Sequence, residues 1–161
     1  MNPLFQKVIT GVEQQVKERD PYDRIVAAGL KTMFDKSTHA MMLEGLNEAQ
    51  DVAKWAGEGI AGLLGVLSKQ SRGTMPFQPM LQAGVTLLMH AMDFLSETGK
   101  IEASPQSVAQ ATKAFAMAIT NAAGVSEQQL MQMAEQANAA AGDPAQAQRL
   151  QQHFGGGNGA N

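Results

Sequence analysis

Residues 80–95, Met80-Leu81-Gln82-Ala83-Gly84-Val85-Thr86-Leu87-Leu88-Met89-His90-Ala91-Met92-Asp93-Phe94-Leu95, decide the fold class. Leu81, Val85, Leu88, Met89, Met92 and Leu95 recur at three- and four-residue intervals, the spacing of one apolar face of an α-helix. Thr98-Gly99-Lys100 ends that helix. Ahead of it, 69–79 (KQSRGTMPFQP) carries the breakers Gly73, Pro76 and Pro79 and reads as the clearest internal loop.

The same spacing extends toward the N-terminus. Leu4, Phe5, Val8, Ile9, Val12 and Val16 form an apolar face opposite Gln6, Lys7, Glu13, Gln14, Lys17 and Glu18. Asp20-Pro21 reads as an N-cap followed by proline at the first helical position, opening a helix with Ile25, Val26, Leu30, Met33 and Phe34 toward the core. Ser37-Thr38 offers a break or a fresh cap before a third helix carrying Met41, Met42, Leu43, Leu46, Val52 and Trp55. The stretch from Trp55 through Gly57, Gly59, Gly62 and Gly65 either continues that helix with glycine faces or forms a separate segment.

Toward the C-terminus, Ser104-Pro105 caps a helix through Val108, Ala111, Phe115, Ala118 and Ile119, closed by Gly124. Ser126-Glu127-Gln128-Gln129 opens another in a capping-box pattern, with Leu130, Met133, Ala134 and Ala137, stopping near Gly142. Asp143-Pro144 caps a short helix ending at His153-Phe154, and 155–161 is a Gly-rich tail expected to be flexible. The expectation is an all-α bundle of six or seven helices in one domain, 1–142, followed by a terminal helix, 143–154, and the tail.

Composition restricts the chemistry. Cysteine is absent, which excludes disulfides, thiolate zinc sites and cysteine nucleophiles. His39, His90 and His153 stand about fifty or more positions apart and have no ligand partner in sequence. The net charge of −3 is spread without a basic stripe, so sequence-specific nucleic-acid binding is not expected. Charged residues make up 17% of the chain against roughly 25% in soluble domains. Either a partner covers part of the surface or the abundant Gln, Asn, Ser and Thr supply the polarity. Residues 1–7 lack a charged segment followed by an apolar one, so no signal peptide is expected. The uncharged stretches 59–68 and 74–92 are respectively too short and too proline-broken to span a bilayer.

Individual motifs have simpler readings than catalysis. Gly57-Glu58-Gly59-Ile60-Ala61-Gly62 has the letters of a dinucleotide fingerprint but neither the preceding strand nor the ribose-binding acid. Gly57, Ala61 and Gly65 lie four apart and would line one side of a helix, admitting a neighbouring backbone; a broken segment and a membrane-inserting amphiphile are the alternatives. Met41, Met42, Met89, Met92, Met131 and Met133 with nearby His39 and His90 raise copper(I), yet their irregular spacing favours methionine as gap-filler in a core or interface. His39 would cap or hydrogen-bond near a helix start, and His90 lies off its helix's apolar stripe. Glu44, Glu48 and Asp51 fall on one side of a helix as a solvated face. The serines flank helix ends, where capping explains them. Trp55 reads as a core or interface anchor. No cofactor is implied.

The small size, the missing cysteine, the Ala/Gln/Met-rich helical body, the low charge after Lys100 and the Gly/Asn tail together resemble the small structural proteins of tailed-bacteriophage virions, in particular internal proteins released with the genome. That resemblance implies a role in assembly, with many copies, helical contacts between neighbours and rearrangement during DNA delivery. The expected function is therefore a non-enzymatic structural protein that associates with itself and with other structural proteins, located in the virion or otherwise in the cytoplasm. Gly57, Ala61, Gly65, Trp55, Met131 and Met133 are the candidate contact residues. A membrane-active helical protein that inserts after a conformational change is the alternative.

Overall fold

A computed structural model describes residues 1–123. Among them are six helices and no strand: α1 (Pro3–Gln15), α2 (Arg19–Met33), α3 (Lys36–Glu48), α4 (Val52–Gln70), α5 (Phe77–Glu97) and α6 (Pro105–Ala123). The helices expected over 126–141 and 143–154, the cap at Gly124 and the tail 155–161 lie outside the described residues.

Helix α5 is the axis of the fold. It packs against α1, α2, α4 and α6, and its buried residues run around its whole circumference, from Leu81 and Val85 through Thr86 and Leu87 to Met92 and Leu95. A helix apolar on all sides is stable only where neighbours surround it. That burial accounts for the uncharged stretch 74–92 and places Met80, Met89 and Met92 in the core. Pro79 sits in the first turn of α5 and so does not interrupt it, which shortens the expected loop to 71–76.

Polar pairs set the register of α5 with its neighbours. Helix α1 runs antiparallel to it and is tied at both ends. The Asn2 amide donates to Asp93 Oδ1 at 2.8 Å, and Gln82 Nε2 donates to the Gln15 carbonyl at 3.3 Å. Asn2 also caps α1, its Oδ1 accepting from the Leu4 amide at 2.9 Å. From α2, the Tyr22 hydroxyl lies 2.7 Å from Thr86 Oγ1 in the core. Burial pushes the Tyr22 phenol upward in pKa, and the Thr86 hydrogen bond opposes this.

Three sequence-derived boundaries move. Helix α2 begins at Arg19, so Asp20 and Pro21 occupy its first turn and Asp20 does not cap it. Arg19 instead bridges Glu13 and Asp23 at 3.6 and 3.1 Å. Phe34 ends α2 and is 52% exposed, while Tyr22 and Gly29 take the inward positions. The third expected helix divides at 49–51, because Asp51 Oδ1 accepts from the Lys54 amide at 3.1 Å and starts α4 there. Val52 and Trp55 therefore belong to α4. Glu44, Glu48 and Asp51 do not share one helix face.

Helix α6 begins where expected. Ser104 Oγ accepts from the Ser107 amide and Ser107 Oγ from the Ser104 amide, both at 3.1 Å, a reciprocal cap with serine in the usual glutamate position.

Candidate functional site: the two sides of helix α4

Residues 52–70 form one continuous helix despite four glycines, and those glycines divide by face. Gly57 and Ala61 are buried. A Cβ added at Gly57 would meet the Ala111 carbonyl oxygen, the Phe115 nitrogen at 2.6 Å and the Ala114 Cβ at 2.9 Å. The backbones of α4 and α6 thus approach closely, and they run in the same direction, the starts of both lining one groove. Gly65 does not join this contact: it is exposed, with nothing within 4 Å of an added Cβ. Each four-residue step turns the row by about 40°, so roughly 80° separates Gly65 from Gly57. The inner row is intramolecular and is already filled.

Trp55 is half-buried and lies over α3, its Nε1 3.2 Å from a Cβ added at Gly45. It anchors α3 to α4 and lies apart from Gly57 and Ala61 on the helix. Met131 and Met133 are outside the described residues.

The outer side of α4 is a different surface. Gly59, Gly62 and Gly65 have open space around them, Val66 is 50% exposed, and Lys54 and Glu58 form an exposed pair at 3.9 Å. Each interior glycine costs about 0.5–1 kcal/mol of helix stability relative to alanine. At Gly57 close packing offsets that cost, whereas nothing within the described chain offsets it at Gly59, Gly62 or Gly65. The four-residue pattern overlooks this outer row. The alternating three- and four-residue steps 59, 62, 66 and 69 trace it, and were present in the sequence.

Other large apolar side chains also face outward. Phe34, Met41, Leu43 and Met117 are 52, 66, 40 and 49% exposed. An Asp-x-Ser pattern could have revealed Phe34 as a helix end: Asp35 accepts from the Ser37 amide and hydroxyl at 3.2 and 2.6 Å, bonds that hold its carboxyl below the ordinary pKa.

The ionisable side chains are dispersed, and among the described residues no three of His, Asp or Glu converge as a metal set would. His39 does not cap a helix; its ring packs edge-on against Phe94 with centroids 5.2 Å apart. His90 is half-buried on α5, and burial lowers its pKa while Asp93 opposes the shift. A shallow groove of about 440 Å³ lies where α4 and α6 begin, lined by Gln50, Asp51, Lys100, Glu102, Ser104 and Gln110 among others. The cap atoms Asp51 Oδ1 and Ser104 Oγ are already engaged by their own helices. The fingerprint letters at 57–62 lie in mid-helix, where no phosphate-cradling turn can form. Among the described residues, no helix is long and apolar enough to cross a membrane. Set beside protein-family models, curated proteins and solved structures, the chain matches none.

Proposed function

We propose that the protein is a non-enzymatic structural component that assembles through helix–helix contacts, with the outer side of α4 as a contact surface. The observation that supports this reading is the open row of Gly59, Gly62 and the half-exposed Val66, with Gly65 also open at its edge. Glycine there lowers helix stability without serving packing among the described residues, and it leaves a shallow track on which a neighbouring helix can lie close. The finer reading, a virion component of a tailed phage present in many copies, follows the overall resemblance in composition and helical character.

Light scattering of the purified full chain over roughly 1–100 µM tests the assembly reading, because any oligomer with a dissociation constant within or below that range is populated there. The expected result is a discrete oligomer that Gly62→Leu and Val66→Lys each convert to monomer without loss of helix content. A wild-type chain that stays monomeric throughout the range overturns the proposal. The membrane-active alternative is separated from it by co-sedimentation with neutral and anionic vesicles, which the assembly reading expects to be negative.

A further inference from the structure

Helix α3 differs from the other five described helices in how it is held. Of its 13 residues only Leu46 is buried, while Met41 and Leu43 point outward. Its main neighbour is α2, and that contact is slight beside those that hold the other described helices. Two aromatic contacts hold its underside: the His39 ring against Phe94, and Gly45 beneath the Trp55 indole. Neither is a hydrogen bond between side chains, and no ion pair ties α3 to another described helix.

Its ends are capped from within their own segments, and one backbone bond, from the Asp35 amide to the Thr32 carbonyl of α2 at 3.3 Å, crosses the first of them. Asp35, in extended conformation, caps α3 itself. Ala49 and Asp51 are extended at the other end, and Asp51 caps α4 from its own side of the break. Helix α2 closes through the Phe34 amide to the Leu30 carbonyl at 3.1 Å. Removing α3 would therefore leave the last turn of α2 and the first turn of α4 with their bonds intact.

We propose that α3 is a hinged strap, pivoting at 34–35 and 49–51, which leaves the bundle as a unit ahead of global unfolding and uncovers an apolar strip containing Trp55 and Phe94. Segments with few buried apolar contacts open at lower free energy than the core they cover, in contiguous cooperative units. Opening releases Leu46 and the half-buried Met42 to join Met41 and Leu43, which already face outward, and uncovers the strip beneath them. The device is independent of whether the closed chain self-associates through α4.

Native-state hydrogen exchange of the full chain, at a concentration where it is monomeric, tests this. Amides of 40–47 are expected to exchange at least about 100-fold faster than those of 85–92, with a measurable urea dependence that is smaller than that of 85–92 well below the unfolding midpoint. Leu46→Ala, which removes the one buried anchor of α3, should speed exchange of 40–47 by a further 10-fold or so and leave 85–92 unchanged. Shared protection and shared urea dependence of the two segments would overturn the proposal, as would a Leu46→Ala variant in which protection of 85–92 falls by the same factor.

Discussion

Gly57 carries more of the packing than its absent side chain suggests. The Ala111 carbonyl and the Phe115 amide occupy the space where a Cβ would project, and backbone cannot yield as a flexible side chain can. Gly84 and Gly29 serve α5 and α2 similarly, the Phe115 ring and Leu64 lying against Gly84 and the Leu87 methyls against Gly29. Those neighbours are side chains, where at Gly57 they are backbone. Gly57→Ala is therefore expected to destabilise the fold by about 1–3 kcal/mol through overpacking. Gly59→Ala on the open side of the same helix should stabilise the monomer by about 0.5–1 kcal/mol. Urea denaturation of both variants at low concentration checks the opposite signs. At this scale the sequence reading identified Gly57 and Ala61 as small residues on a packing face, but it assigned Gly65 to the same row.

Helix ends were the least legible elements. Caps that coincide with a change in hydrophobic spacing were readable, as at Ser104-Pro105 and Thr98-Gly99. The Asp51 cap was not, because Met42, Leu46, Ala49 and Ala53 continue a helical spacing across the break at 49–51. The end of α4 shows how closure can proceed at a cost. The Gly73 amide donates to the Ser68 carbonyl at 3.0 Å and the Arg72 amide to the Lys69 carbonyl at 3.1 Å, a Schellman closure. The left-handed position in it falls on Arg72, at φ 56°, where glycine is usual. By contrast Gly99, at φ 72°, fills the equivalent position after α5. A non-glycine residue in that conformation costs roughly 1–2 kcal/mol, part of which glycine gives back as entropy of the unfolded chain. Arg72→Gly is expected to stabilise the protein by about 1 kcal/mol, read as a rise in thermal midpoint. Arg72→Ala should show no such rise.

For the whole molecule, the consequence of threading α5 through the centre is that polar groups on it are placed by their neighbours. His90 is one of them, half-buried and with its pKa lowered by desolvation, Asp93 acting in the opposite direction. A lowered folded-state pKa means that the unfolded chain binds the proton more tightly. The stability associated with a neutral His90 is complete above the unfolded value of 6.5 and is lost as pH falls from there through the folded value. Thermal midpoints should fall over that window, and His90→Gln should flatten the fall. A variant with the same pH slope as the wild type would remove His90 as its cause.

The helical class of the described residues, the inward faces of α1 and α6, and the breakers Gly73 and Pro76 could all be read from residue order, because a 3.6-residue period and a proline or glycine act over one or two turns; that α5 is buried on every side could not. Which face of α4 is occupied, how lightly α3 is held, and that Phe34, Met41 and Leu43 stand in solvent depended on which helices meet. Packing partners lie tens of residues apart in the chain, as Gly57 and Phe115 or Tyr22 and Thr86 do, and no local pattern encodes the angle at which two such helices approach.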